Sequence, residues 1–205
     1  MASDPQRLVK AFAAIDAANS FDPKSVDVGG VRRPANLMYG LRMSAELERF
    51  APGASEALKI AARGQHIERW IIPRSQYPMD RQGYHRWRLA LRDHHAARLS
   101  AILGDLSYDP TTTARVVSIV RKERLKEDEE AQTLEDVICI VFIKFELAAF
   151  AEKYTADDLR LADILAKTWH KMSERGHLAV LSIPPAPNVL SLLNKGLERL
   201  KPKNF

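Results

Sequence analysis

Apolar residues recur at three- and four-residue spacing along almost the whole chain, the rhythm of helices packed on one face rather than of strands. Ser3 or Asp4 can cap a first helix running to residue 19. The stretch 20–33 holds Asp22-Pro23 and Gly29-Gly30 and reads as a loop. A second helix is predicted over 35–50, stopping at Pro52-Gly53, and a third over 55–70. Pro73 and Pro78 bracket a loop, and a fourth helix covers 84–103, between Gly83 and Gly104. After Asp109-Pro110 a fifth helix covers 111–125. The charged stretch 126–130 reads as a solvated turn. The sixth helix, 134–153, is apolar on nearly all sides between Val137 and Ile143, the pattern of a buried central helix. A seventh helix runs over 156–175 and closes at Gly176. Residues 177–183 are the one strand-like piece, and the prolines of 184–187 lead rigidly into a last helix over 188–200. The expected fold is all-α, a single-domain orthogonal bundle of about 7–9 helices spanning 1–205. Within it, 1–34 supplies a first helix and loop, 35–176 the core, and 177–205 a C-terminal extension.

Composition narrows this only a little. With 205 residues, 46% hydrophobic and 28% charged, the chain can bury one sizeable core. No apolar run of roughly 18 residues occurs, so neither a transmembrane helix nor a membrane partner is expected. Acids and bases interrupt the apolar residues near the N-terminus, unlike a signal peptide, and a cytoplasmic location is expected. Cys139, the one cysteine, lies in an apolar run and reads as a small buried hydrophobe. A net charge of +5 favours anionic partners but is too small to imply nucleic acid. Monomer and homodimer stay open.

One segment concentrates chemistry. Seven arginines fall between Arg63 and Arg92, interleaved with Trp70, Tyr77, Tyr84 and Trp87. Guanidinium forks suit phosphate or carboxylate, and neighbouring aromatics can stack on them or on a base. Any single arginine reads most simply as solvated or paired, with Glu68, Asp80 or Asp93 to hand; the concentration points to a pocket. Arg63, Arg69, Arg74 and Arg88, with Trp70 and Trp87, are the binding candidates. His66 follows an apolar helical stretch and is expected to point inward. Tyr84, Trp87, Leu91, His95 and Ile102 trace a buried stripe, with His94 at its edge. Histidine ligates metals and carries protons near neutral pH, although one buried histidine is more often a satisfied core residue.

A metal or acid–base site would also need a carboxylate. Glu135 and Asp136 stand where the buried sixth helix begins, and Glu46 is a weaker candidate of the same kind. Asp136 also fits a helix start with Thr133 as N-cap, so cap and ligand stay open. Lys167 and Lys171 lie four residues apart on one helix face and could meet an anion. Glycine-rich phosphate loops, GxSxG elbows and CxxC pairs are missing from the sequence, and the triplet Lys171-Met172-Ser173 reads as a chance likeness to a synthetase signature.

QHIERWIIPR (65–74), Tyr77-Pro78, GYHRWR (83–88), QTLEDV (132–137) and KTWHKMS (167–173) together resemble a family known as a domain of unknown function, which carries no established activity. The order of helices resembles, more loosely, the HD superfamily of metal-dependent phosphohydrolases. ALKIAARGQHIERW (57–70) is similar to the helix ending in that superfamily's His-Asp pair, which puts His66 on the histidine. YHRWRLALRDHHAARL (84–99) is similar to a helix with an added histidine, matching His94 or His95. LEDVICIVF (134–142) is similar to the helix carrying the last aspartate, matching Asp136. The resemblance implies an HD-like fold and a divalent metal that activates water against a phosphoester. Ile67 stands where the pair's aspartate belongs, and the first histidine has no counterpart in 39–47, where Tyr39 or Arg42 is nearest.

Three functions follow. The first is a degenerate metal-dependent hydrolase of a small phosphorylated, nucleotide-like substrate. In it His66, His94, His95 and Asp136 hold the metal, while His66, His95, Asp136 and Glu135 serve as acid and base. Arg63, Arg69, Arg74, Arg88, Trp70, Trp87, Lys167 and Lys171 bind the anion. The second is a non-catalytic module that senses a nucleotide or anionic metabolite in the same pocket. The third, RNA binding, lacks a long basic helix face or a recognisable motif.

Overall fold

The computed structural model describes residues 5–152 and 158–183. In chain order the elements are α1 (Pro5–Asn19), β1 (Ser25–Val28), β2 (Val31–Pro34), α2 (Ala35–Phe50), α3 (Glu56–Gly64), α4 (Arg81–Asp105), α5 (Pro110–Arg121), α6 (Glu129–Val141), α7 (Leu147–Glu152), α8 (Asp158–Lys171) and α9 (Glu174–Leu181). The fold is all-α, with nine α-helices among the described residues and one short hairpin. None of these helices is long and apolar enough to cross a membrane. The expected cap at Ser3 or Asp4, the proline link 184–187 and the last helix 188–200 lie outside the described residues.

The chain divides into two units, residues 1–134 and 135–205. In the first, α3 is the central element and packs on α1, α2 and α5, while α5 also packs along α4. Ile60, Ala61 and Ala62 of α3 are fully buried, as are Ile15 of α1, Met43 of α2, Leu99 and Leu103 of α4 and Ile119 of α5. Small residues let these helices approach. A Cβ on Gly64 would collide with the Leu99 side chain, and one on Gly40 would lie 2.7 Å from the Arg63 carbonyl oxygen. Arg63 fixes α3 to α1 through a bidentate pair with Asp16, 2.7 Å from Nε and 2.5 Å from Nη2.

Several boundaries differ from the expected ones. The stretch 20–33 contains an antiparallel hairpin whose turn, Gly29-Gly30, has φ of 61° and 83°. Both values lie in the left-handed region that such two-residue turns require, and Asp27 Oδ1 accepts the Gly30 N–H at 3.1 Å. The third helix stops at Gly64, short of residue 70. The fourth starts early, because Asp80 Oδ1 accepts the Gly83 N–H at 2.6 Å and caps it. Its stripe is buried only from Leu91 onward, since Tyr84 is exposed. The stretch 126–130 is no free turn: Arg115 closes on Asp128 and Glu130, and Asp128 accepts the N–H groups of Glu130 and Ala131. Asp128, drawn down to about 2 by hydrogen bonds from Arg115, therefore starts α6, in place of the Thr133 cap expected from sequence.

In the second unit Val137, Val141 and Leu147 are fully buried. The helix changes pitch through a π segment at Phe142–Glu146 before continuing as α7. Residues 174–181 form α9 rather than a strand, and the helix expected over 156–175 breaks before Ser173. The break has a local cause. Ser173 Oγ accepts the Gly176 N–H at 3.1 Å, and Asp136 holds Ser173 by accepting its N–H at 2.8 Å and its hydroxyl at 2.6 Å. Gly176 is needed here, because a Cβ would lie 2.6 Å from Asp136 Oδ1.

Candidate functional site

Beyond Gly64 the chain turns sharply, and Glu68 adopts a left-handed backbone with φ 50°. A non-glycine residue there costs about 1 kcal/mol. Buried Asn19 holds it, with Oδ1 accepting the Glu68 N–H at 3.0 Å. A short 3₁₀ turn, Arg69–Ile71, follows. The turn brings Gln65, His66 and Arg69 against one face of α4 and the C-terminal end of α5. Between them lies a cleft of ≈ 360 Å³, lined from α4 by His85, Arg88, Leu89, Leu91, Arg92 and His95 and from α5 by Val120, Arg121 and Lys122.

Among the described residues, five cationic side chains line this cleft (Arg69, Arg88, Arg92, Arg121 and Lys122), and no acidic one does. Asp93, outside the lining, lies 3.7 Å from Arg92 Nε and 3.4 Å from Arg121 Nε. Arg69 stacks over the Trp87 ring at 4.8 Å, and Trp87 is fixed by its Nε1–H, which donates to the Ile72 carbonyl at 2.9 Å. Lys122 ends α5 in the left-handed region with φ 55°, a conformation that usually selects glycine or asparagine.

Two histidines form the floor. His66 stacks on Tyr39 with ring centroids 4.2 Å apart, and His95 lies 5.9 Å from His66. His95 is 3% exposed, and its Nδ1 lies 2.7 Å from the Ile67 carbonyl oxygen. A carbonyl only accepts, so Nδ1 carries the proton and Nε2 presents a lone pair. Nε2 is buried with no hydrogen-bond partner among the described residues. Burial pushes His95 down to about 3, against the upward pull of the Ile67 bond and assisted by Arg69, His94 and Arg88. Burial likewise holds His66 well below its ordinary value, assisted by Arg69, His95, Arg88 and Lys122. Both rings are neutral at neutral pH.

The other sequence candidates take different roles. Arg63 does not line the cleft, because its fork closes on Asp16. Arg74 donates to the Tyr77 carbonyl at 2.8 Å and closes the loop that follows. Trp70 is not among the lining residues, and Trp87 supports the cleft only by stacking under Arg69. His94 Nε2 faces Glu68 at 3.6 Å, beside Arg98, which donates to both Glu68 oxygens. In the second unit Asp136 is engaged by Ser173, buried Glu135 lies 3.9 Å from Lys171 Nζ, and Lys167 is exposed on α8. Glu46 accepts from Arg49 at 2.6 Å. Five lining residues with polar groups were not among the site candidates read from sequence: Gln65, His85, Arg92, Arg121 and Lys122. Four α4 residues share one face at spacings of three, four and three: His85, Arg88, Arg92 and His95.

The expected metal set does not fit a divalent ion. His94 turns to Glu68 and Asp136 to Ser173. Ile67, at the HD aspartate position, is a fully buried core residue. Among the described residues no group of three or more His, Cys, Asp or Glu side chains is arranged to hold a metal ion. What remains is two histidines ringed by positive charge, which repels a cation.

No curated protein and no solved structure matches the chain, so its likeness to HD proteins rests on sequence motifs alone. The model of one family, described as Domain of unknown function (DUF4202), matches residues 9–193. That match takes in both the cleft and the Asp136–Ser173 cap, and this chain belongs to that family.

Proposed function

We propose that the cleft binds a small phosphorylated molecule without a metal ion, and that the chain acts as a binding module rather than as a metal-dependent hydrolase. The observation that carries this reading is the convergence of five cationic side chains on a cleft with no acidic lining residue among the described residues. Like charges so close together repel one another, and a bound dianion relieves that repulsion. Arginine forks match phosphate geometry, and the stacking of Arg69 on Trp87 limits the freedom it would lose on binding.

The size of the cleft supports a small ligand over an RNA strand. At ≈ 360 Å³ it lies near the lower end of small-molecule sites, which run about 300–1,000 Å³. The histidines support binding over catalysis. A general base works best with a value near the operating pH, and His95 at about 3 lies far below it.

Thermal unfolding in excess chelator tests the proposal, with inorganic phosphate, pyrophosphate and adenosine monophosphate as probes. A ligand at one hundred times its Kd stabilises by about 2.7 kcal/mol, an expected rise in Tm of about 5 °C or more. The rise should shrink as salt is added. No stabilisation by any of the three, or stabilisation that demands a divalent metal, would overturn the reading.

A further inference from the structure

The floor of the cleft differs in chemistry from its rim. His95 and Gln65 are both more than nine-tenths buried and line the cleft, and each has a buried polar atom without a partner among the described residues: Nε2 of His95 and Oε1 of Gln65. The Gln65 amide can present either end, so it adapts to what it meets. His95 cannot adapt. Its Nδ1–H is committed to the Ile67 carbonyl, so Nε2 is an obligatory acceptor. An ionised phosphoryl group has no proton to offer it. The rim therefore asks for an anion, and the floor asks for a donor.

We propose that the natural ligand is a hydroxylated phosphate ester, of the phosphosugar or phosphopolyol class, whose phosphoryl group seats among Arg69, Arg88, Arg92 and Lys122 while a hydroxyl of the same molecule donates to His95 Nε2. This rests on the cleft being an anion site, as proposed above, and adds which anions it selects. Placing a hydroxyl there satisfies a buried acceptor, and a ligand that enters without one leaves it unsatisfied. A penalty of that kind corresponds to roughly a tenfold loss of affinity or more. The burial that keeps the ring neutral keeps Nε2 an acceptor throughout the neutral range.

The test is a set of calorimetric titrations at pH 8, where phosphate monoesters are dianions without a P–OH proton. Glycerol 1-phosphate and ribose 5-phosphate are compared with propyl phosphate, which carries the same charge and no hydroxyl. At least one hydroxylated ester should bind about tenfold or more tightly than propyl phosphate. Because a His95 variant could fail to fold, the second readout uses the unaltered protein: the ¹⁵N resonance of His95 Nε2 in histidine-labelled chain. It should move on adding the preferred ester and stay still with propyl phosphate. Equal affinities with a still resonance would overturn the inference and leave the anion site standing. A preference with a still resonance would overturn the assignment of the donor to His95. Failure of all three esters to bind a protein that pyrophosphate stabilises would overturn the inference and leave the anion site standing; failure of pyrophosphate as well would remove both.

Discussion

The Nδ1–H of His95 is held on the backbone carbonyl of Ile67 at 2.7 Å, across 28 positions of sequence. One hydrogen bond thereby ties the middle of α4 to the turn after α3 and leaves Nε2 as the ring's acceptor. Burial of the ring, against the pull of that bond, gives the fold a dependence on acid. Free histidine titrates near 6.5, whereas His95 in the folded chain sits at about 3 and His66 well below its ordinary value. Between those values the unfolded chain binds more protons than the folded one. The stabilisation is therefore complete above about 6.5 and is lost as pH falls toward 3, by at most about 1.4 kcal/mol per pH unit for each histidine. Urea unfolding between pH 7 and 4.5 should show this decline, and a flat profile would contradict neutral burial of the pair.

Arg63 and Arg88 stand in the same arginine-rich segment, yet they should behave as opposites. Arg63 is 8% exposed and paired with Asp16, so Arg63→Met should cost about 1–3 kcal/mol of stability. Arg88 is exposed at the cleft with no ion pair among the described residues. Arg88→Ala should leave stability unchanged or slightly higher, because it removes one of several like charges, while weakening phosphate binding about tenfold or more. Chemical unfolding combined with calorimetry separates the two. Loss of binding in a folded Arg63→Met protein, with none in Arg88→Ala, would reverse the assignment.

Asp136 acts as a brace for α9 through Ser173. Asp136→Asn and Ser173→Ala should each cost about 1–3 kcal/mol, and the double variant less than their sum, because both disrupt the hydroxyl bond to Asp136, while the bond from the Ser173 backbone N–H survives Ser173→Ala. Additive losses in a double-mutant cycle would show that the bond between the Ser173 hydroxyl and Asp136 does not brace α9.

Lys122 occupies a left-handed position at the end of α5, where glycine is the relaxed choice. Lys122→Gly should relieve about 1 kcal/mol of backbone strain, so the variant is no less stable than the parent. It should nonetheless bind pyrophosphate more weakly. A destabilised variant with unchanged binding would show that the lysine is kept for the fold alone.

The fold class and most helices were legible because apolar spacing, proline and glycine carry them; the bounds of α2 were predicted to the residue. The hairpin escaped because its strands are four residues long and mostly exposed, leaving Gly29-Gly30 as the main signal. α9 escaped because its cap is completed by Asp136, 37 positions away, and local pattern cannot register such a bond. The candidate site was half legible. His66, His95, Arg69 and Arg88 stood out by residue type. Reading α4 by its apolar stripe favoured Tyr84 and Trp87, while the parallel polar face of His85, Arg88, Arg92 and His95 lines the cleft. Arg121 and Lys122 fall outside the arginine-rich segment, and it is the packing of α5 on α3 and α4 that sets them beside those arginines.

The central claim is that phosphate binds among these cations and needs no metal. Calorimetric titration of pyrophosphate, in chelator, into the parent protein and into an Arg88→Ala, Arg92→Ala double variant tests it most directly. The account predicts saturable, salt-sensitive binding to the parent and about a hundredfold weaker binding to a variant that still unfolds cooperatively. Equal binding by both proteins, or binding by the parent only when a divalent metal is restored, would contradict it.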